Sequence, residues 1–180
     1  MSLESIIKKY ASTLTDQGTD KGTTHSYVDI YTELFKNIKD DSIILTEIGV
    51  SGGFSIQVWL EYFQKATIYA IDIDWSVCKF LEWPDRVVKL NHDATKPSIL
   101  EHVPVSDIII DDGSHAVSDQ ISSFNILYPL LKKGGMYIIE DVNAIDTLID
   151  AISKTTSNYK VYDLRHLKYR HDDVLVVIYK

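Results

Sequence analysis

The sequence predicts an α/β domain with a largely parallel sheet and helices on both faces. Five apolar runs typical of buried strands alternate with segments of helical periodicity, and two more strands follow near the C-terminus. The seven predicted strands cover residues 43–48, 67–74, 86–90, 105–111, 136–139, 159–163 and 173–179. The polar turn before the last strand is too short for a parallel crossover, so we expect one antiparallel strand near the C-terminus.

Length and composition indicate the class of protein. A chain of 180 residues supports a single core, so we expect one domain over 1–180. The formal net charge of -8 disfavours a nucleic-acid-binding surface, which would need a basic stripe. Apolar runs are too short to span a membrane, and the N-terminus lacks the apolar stretch of a signal peptide. We therefore expect a cytoplasmic protein with neither a membrane nor a nucleic acid as partner.

Two helices are predicted ahead of the first strand. Apolar residues at helical spacing favour a helix over 3–14 and a second one over 26–38. We expect the tyrosines of the second helix to pack in the core; the alternative is contact with a partner chain in a homo-oligomer. The polar run between the helices, 15–26, is by its spacing alone a solvated loop.

The first strand leads into a glycine-rich turn, Gly49-x-x-Gly52-Gly53, which is followed by an amphipathic helix. A turn of this kind lets backbone N–H groups approach a ligand above the strand, so it is a candidate nucleoside site. The alternative is a turn formed for packing alone. Because the G-x-G-x-x-G spacing of dinucleotide sites is absent, a nicotinamide-dependent oxidoreductase is disfavoured. Glu47, on the strand just before the turn, strengthens the nucleoside interpretation.

Acidic side chains follow the second and third predicted strands. Asp72 lies about 20 residues beyond the glycine turn, where a carboxylate can accept hydrogen bonds from a ribose diol. Asp74 is expected to cap a helix that begins near Ser76. Asp93 either accepts from an adenine amino group or caps its own loop. These acids place a nucleoside at the carboxyl ends of the strands.

The fourth and fifth strands end in the pairs Asp111-Asp112 and Glu140-Asp141. Two unit charges about 4 Å apart repel by roughly 4 kcal/mol at an effective dielectric near 20, so the group needs protons, cationic partners or a metal. Mg²⁺ is the simplest solution, and the alternative is a set of helix caps. His115 is either a loop histidine or a general base beside that metal.

In this order the motifs resemble the class I S-adenosylmethionine-dependent methyltransferases, and more closely the metal-dependent sugar O-methyltransferases typified by the macrocin and mycinamicin enzymes. The matching segments are Glu-x-Gly-x-x-Gly-Gly (47–53), Ile-Asp-Ile-Asp (71–74), Asp-Asp-Gly-Ser-His (111–115), Gly-Gly-x-x-x-x-Glu-Asp (134–141) and, near the N-terminus, Thr-Asp-Lys-Gly-x-x-His-x-Tyr (19–27). The resemblance implies a Rossmann-like three-layer sandwich, S-adenosyl-L-methionine and Mg²⁺ as cofactors, and methylation of a sugar hydroxyl on a glycan or glycosylated metabolite.

The resemblance also implies roles for individual residues. The methionine end of the cofactor would be bounded by Glu47, Gly49, Ser51 and Gly53, its ribose by Asp72, and its adenine by Ile73 and Asp93. Mg²⁺ would be held by Asp111 or Asp112 together with Glu140 and Asp141, with His115 as the base. The helices 3–14 and 26–38 would cover the cofactor site, and the segment with Lys21, His25 and Tyr27 would close over the cofactor and acceptor.

Two other functions stay open at this point. Catechol-type O-methyltransferases also place metal-binding acids after the fourth and fifth strands, but they typically use a lysine base where this chain has His115. A catalytically silent binding module with the same fold is the other alternative, which the clustered carboxylates disfavour. Neither the sugar nor the methylated hydroxyl follows from the sequence.

Overall fold

The computed structural model describes residues 1–12, 17–80 and 82–180, and its centre is a seven-stranded sheet. The strands are β1 (Ile44–Ile48), β2 (Thr67–Asp72), β3 (Val87–Asn91), β4 (Ser106–Asp111), β5 (Leu131–Ile139), β6 (Tyr159–Asp163) and β7 (Val174–Tyr179). They lie in the order β3-β2-β1-β4-β5-β7-β6, and β7 is antiparallel to both of its neighbours while the pairs from β3 to β5 are parallel. The predicted sheet is confirmed.

Helices cover both faces of the sheet. They are α1 (Leu3–Tyr10), α2 (Val28–Phe35), α3 (Phe54–Tyr62), α4 (Val117–Leu127), α5 (Ile145–Ser153) and the short α6 (Arg165–Lys168). Because side chains alternate along a strand, Ile108 and Ile110 join the core under α1, α2 and α3, whereas Ile109 joins the core under α4 and α5. The result is the expected three-layer sandwich.

The two N-terminal helices are shorter than predicted. Helix α1 ends at Tyr10, because Ala11 is extended and forms a β-bridge with Thr19. The last two residues of the predicted helix, 13 and 14, lie outside the described residues. Helix α2 covers Val28–Phe35 of the predicted 26–38.

Tyr27 and the aromatic residues of α2, which follows it, lie in the core. Tyr27, Tyr31 and Phe35 are fully buried, and the rings of Tyr31 and Phe35 pack against Trp59 of α3. The expectation of core packing is therefore confirmed. Whether the chain forms a homo-oligomer stays a prediction.

Two local predictions were wrong. Strand β5 begins at Leu131 rather than Met136, and the Gly134-Gly135 pair lies inside it, where the pairing with β4 shifts register. The described residues of 73–86 form turns instead of a helix. Asp74 Oδ1 accepts from the Ser76 N–H at 2.8 Å, which closes a local turn in place of a helix cap.

No helix within residues 1–12, 17–80 and 82–180 has the length and apolar character needed to cross a membrane.

Candidate active site

The turn between β1 and α3 requires glycine at its first position. Gly49 has φ +85°, and a Cβ atom there would lie 2.0 Å from the carbonyl oxygen of Asp112. The turn therefore packs backbone to backbone on the end of β4, which a side chain would prevent. Asp72 fixes the turn from the other side, since its Oδ2 accepts from the Val50 N–H at 2.7 Å and the Ser51 N–H at 3.0 Å.

A cavity of about 500 Å³ opens beside this turn at the carboxyl ends of the strands. Its lining includes Gly49, Ser51, Asp72, Ile73 and Asp93, so five of the residues assigned to the cofactor from sequence surround one space. Asp93 Oδ1 accepts from the N–H and the hydroxyl of Thr95, as in the loop-cap alternative. A space of this size and position is suitable for a nucleoside.

A second cavity of about 230 Å³ continues from the first. The two share Gly49, Ser51, Asp112 and Gly113 in their linings, and the second extends to His115, Asp141 and Asp20. A continuous cleft therefore leads from the nucleoside-sized cavity to the acids that follow β4 and β5. Both glycine-turn and acid-pair motifs contribute to its walls.

The two acids of each pair have different partners, and three of the four lie beyond the strand ends, since β4 ends at Asp111 and β5 at Ile139. Asp111 faces α4, where its Oδ2 accepts from the Ser123 hydroxyl. Glu140 faces α2, where it accepts from the Tyr31 hydroxyl. Asp111 and Asp112 line the first cavity, and Asp112, Asp141 and His115 line the second.

Asp112, His115 and Asp141 form a compact cluster. His115 Nε2 lies 3.3 Å from Asp112 Oδ1, and its Nδ1 lies 3.5 Å from Asp141 Oδ2. One ligand atom from each residue lies within 4.8 Å of the others, which is close enough to hold one metal ion. His115 and Asp141 also have positive φ, at 58° and 54°, and such strained backbone concentrates at functional sites.

The N-terminal motif approaches this cluster from the α2 side. Lys21 is 1% exposed, and its Nζ donates to Asp112 Oδ2 and Glu140 Oε1, both at 2.7 Å. The Tyr27 hydroxyl donates to Asp141 Oδ1 at 2.6 Å, and the His25 ring stacks on Tyr27. The spacing-only expectation of a solvated loop is therefore wrong for the part of this segment that carries Lys21 and His25.

Burial and charge shift the pKa values of these groups in opposite directions. Burial would lower the pKa of Lys21, but the carboxylates of Asp112 and Glu140 outweigh burial and raise it well above its usual value. Burial opposes the change at Asp112 as well, yet Lys21 and His115 lower its pKa to about 2. The hydrogen bond with Asp112 is the main cause that raises the pKa of His115 to about 9.

The other acids are held towards their protonated forms. Burial, with the nearby charge of Asp112, raises the pKa of Asp141 to about 6 and that of Glu140 well above its usual value. Burial also raises the pKa of Asp111 to about 6. Carboxylates are thus in excess of cations around the cleft, and a bound divalent cation would relieve their repulsion. The oxygens of Asp112 and Asp141 are the donors that Mg²⁺ prefers, so the cluster fits this ion.

Glu47 is buried beside the cluster without direct contact to it. Its Oε2 accepts from Trp59 Nε1 at 2.8 Å, whereas its Oε1 has no hydrogen-bond partner in the described part of the chain. Burial raises the pKa of Glu47 to about 7 against the opposing charge of Lys21. Glu47 is not among the residues that line the two cavities, so its contact with a cofactor stays a prediction.

Two residues that hold the acids were missed in the sequence analysis. Tyr31 donates to Glu140, and Ser123 donates to Asp111. Tyr31 lies one helical turn after Tyr27, and a buried tyrosine hydroxyl needs a polar partner, so the pair of tyrosines on one helix face was an available signal. Ser123 carried no comparable signal.

Comparison with known sequences finds relatives for about two thirds of the chain, although no family model matches it. The chain is 33% identical, over 69% of its length, to the 8-demethyl-8-alpha-L-rhamnosyl tetracenomycin-C 2'-O-methyltransferase of Streptomyces olivaceus. It is 30% identical, over 67% of its length, to the demethylmacrocin O-methyltransferase of Streptomyces fradiae. These matches cover 35% and 33% of the two relatives, so the aligned part of this chain spans about one third of their length.

Comparison with solved structures gives the same fold. The MycE methyltransferase from the mycinamycin biosynthetic pathway, in complex with Mg and SAH, superposes with a TM-score of 0.74 at 24% identity. The match covers 100% of this chain and 55% of MycE. The resemblance seen in the motifs is confirmed: the chain has the class I S-adenosylmethionine-dependent methyltransferase fold, and its sequence relatives are sugar O-methyltransferases.

Proposed function

We propose that the chain is an S-adenosyl-L-methionine- and Mg²⁺-dependent O-methyltransferase that acts on a sugar hydroxyl of a glycan or glycosylated metabolite. The observation that carries this proposal is the Asp112–His115–Asp141 cluster at the end of a cleft that begins in a nucleoside-sized cavity. One relative is named as the 2'-O-methyltransferase of a rhamnosyl tetracenomycin, and a MycE structure holds Mg, SAH and Mycinamycin VI. Because the match spans only part of those proteins, the activity itself is a proposal.

The residues of the cleft have separate roles in the proposed reaction. When bound, S-adenosyl-L-methionine would supply a sulfonium methyl group. Asp112 and Asp141 would hold Mg²⁺, which would lower the pKa of a neighbouring sugar hydroxyl. The glycine turn and Asp72 orient the nucleoside part of the cofactor, and His115 accepts the hydroxyl proton at a ring nitrogen. Holding the sugar oxygen and the methyl carbon in line removes much of the entropic barrier.

The protonation state of His115 links metal binding to catalysis. With a pKa of about 9, the imidazole is protonated at neutral pH when only the two carboxylates flank it, and it cannot then act as a base. A cation on Asp112 and Asp141 would compete with the imidazolium for the same carboxylates. His115 would release its proton under those conditions and become available to the substrate.

The catechol-type alternative is disfavoured by Lys21. A lysine base must lose its proton near neutral pH, but two carboxylates hold the Lys21 ammonium and raise its pKa well above the usual value. The silent binding module is disfavoured by the Asp112–His115–Asp141 cluster, because a binding module has no need for clustered carboxylates beside a histidine.

The direct test is a transfer assay with radiolabelled S-adenosyl-L-methionine and a panel of glycosides. We expect label in the glycoside fraction, loss of transfer on addition of EDTA, and its return with excess Mg²⁺. Transfer that persists after exhaustive chelation would contradict the metal requirement. Label that enters free catechols but no glycoside would replace the sugar with the catechol-type acceptor.

A further inference from the structure

A second cluster of metal-ligating side chains lies on the far side of Asp141 from His115. It consists of His25, Asp141 and Asp172, all buried, and one ligand atom from each lies within 4.8 Å of the others. The cluster joins the segment before α2, the end of β5 and the loop before β7. The proposed methyl-transfer chemistry makes no use of His25 or Asp172.

The His25 ring presents a buried nitrogen to this cluster. Nδ1 lies 3.3 Å from Asp141 Oδ1 and 3.6 Å from Asp173 Oδ1. The side chain is 1% exposed, and Nδ1 has no hydrogen-bond partner among the residues that the structure describes. Buried polar atoms are nearly always paired, so an imidazole nitrogen aimed at carboxylate oxygens in this way is placed as a metal ligand would be.

The charge around His25 is also unbalanced. Asp141, Asp172 and Asp173 bring three carboxylates together in a buried space. In the described part of the chain, Arg170 compensates Asp172 at both oxygens, since its Nη2 donates to Oδ2 at 2.8 Å and its Nε lies 2.8 Å from Oδ1. Asp173 accepts from the N–H and the hydroxyl of Ser26, which are both neutral groups. A divalent cation would supply the missing positive charge.

We propose that His25 Nδ1, Asp141 Oδ1 and the Asp172 carboxylate form a second divalent-cation site. Asp141 then bridges two sites, because its Oδ1 faces His25 and its Oδ2 faces His115. A mixed imidazole and carboxylate set favours Mn²⁺ or Zn²⁺ over Mg²⁺. The bound ion ties the N-terminal motif to the loop before β7. This binding does not depend on the proposed methyl transfer.

The test is a titration of the metal-free protein with Mn²⁺, in which the signal of free Mn²⁺ in electron paramagnetic resonance gives the number of ions bound. We expect two ions per chain for the wild type, one for His25→Ala, one for Asp112→Ala, and two for the surface control His166→Ala. One ion in the wild type that survives in His25→Ala and disappears in Asp112→Ala would overturn the second site while leaving the proposed function intact.

A second measurement covers the case in which His25→Ala fails to fold. Pulsed electron paramagnetic resonance of Mn²⁺ bound to His115→Ala detects nitrogen-14 from any remaining imidazole ligand. We expect a nitrogen coupling in this variant, since His25 is unchanged. Bound Mn²⁺ without any nitrogen coupling in His115→Ala would contradict the proposal.

Discussion

At the scale of single residues, His115 connects the acids that follow β4 and β5. Its ring lies between Asp112 and Asp141, which follow neighbouring strands and come from separate motifs. The left-handed backbone of His115 and Asp141 aims both side chains at one point. A base placed between two potential metal ligands can respond to the ion and to the substrate together.

Replacing His115 tests its role as the base. We expect His115→Ala to lower kcat by about 10²–10⁴-fold, the usual contribution of a general base, without weakening the binding of S-adenosylhomocysteine. Turnover is measured in the glycoside assay and affinity by calorimetry, with His166→Ala as the exposed control. Wild-type turnover in His115→Ala would remove this residue from the mechanism.

The raised pKa of Glu47 predicts that the stability of the folded protein depends on pH. Its pKa is raised from 4.5 to about 7 in the folded protein, so the stability that it contributes is present below about pH 4.5 and is lost as pH rises through 7. We therefore expect the Tm of the ligand-free wild type to fall more between pH 5 and pH 8 than that of Glu47→Gln.

Asp111 and Asp141 titrate in the same direction, but they are present in both proteins and cancel in the comparison. Differential scanning fluorimetry gives the two Tm curves, and the exposed Glu33→Gln serves as the control. Parallel curves for wild type and Glu47→Gln would show that the Glu47 carboxyl does not titrate in this window.

At the scale of secondary structure elements, the site depends on the close approach of the β1–α3 turn to the end of β4. Two glycines with similar φ make it possible to separate the stability cost of a steric clash at this approach from the cost of backbone strain. Gly49 has φ +85° and Gly134 has φ +82°, but a Cβ atom at Gly49 would collide with Asp112 whereas one at Gly134 would meet nothing within 4 Å.

We expect Gly134→Ala to cost about 1–2 kcal/mol, the strain of a left-handed alanine. Gly49→Ala should cost more than about 4 kcal/mol, as is typical of severe core changes, and should abolish cofactor binding. Urea unfolding measures both variants. Equal losses of stability would mean that the turn can move away from β4.

The sequence predicted that the acids lie at the carboxyl ends of the strands, but it predicted their hydrogen-bond partners only in part. Asp112 and Glu140 each follow an apolar run, which placed them at the same edge of a parallel sheet. Lys21 lies 91 residues from Asp112 and 119 from Glu140, so no local periodicity could indicate that it neutralises them. The motif resemblance alone brought Lys21 to the site, and the structure supplies its contacts.

Prediction failed where local side-chain chemistry competes with the periodic pattern. The Asp74 side chain closes a turn with Ser76 in place of a helix start, and the Gly134-Gly135 pair is absorbed into β5 at a register shift. The partners of the acids could not be predicted from the pattern, because Asp112, Glu140 and Asp141 lie beyond the ends of β4 and β5, where strand alternation no longer fixes the direction of a side chain. Strand ends are the least certain part of a sequence-based prediction.

At the scale of the whole molecule, residues from several motifs of the sequence meet at the carboxyl ends of the parallel strands. Residues from separate motifs line one cleft although they are spread over the chain: the glycine turn, Asp72, Asp111, Asp112, Asp141, Thr19 and Asp20. The layers on the two faces hold this edge, with the aromatic core under α2 and α3 on one side and α4 on the other. We therefore expect the folded chain to bind the cofactor.

The most direct test of this account is a calorimetric titration of S-adenosylhomocysteine into wild type, Asp72→Ala and the exposed control Asp85→Ala. We predict micromolar binding by the wild type and the control, and binding at least about tenfold weaker by Asp72→Ala, which corresponds to about 1.4 kcal/mol. No detectable binding by the wild-type protein would contradict the assignment of the cleft to this cofactor, and with it the proposed enzyme class.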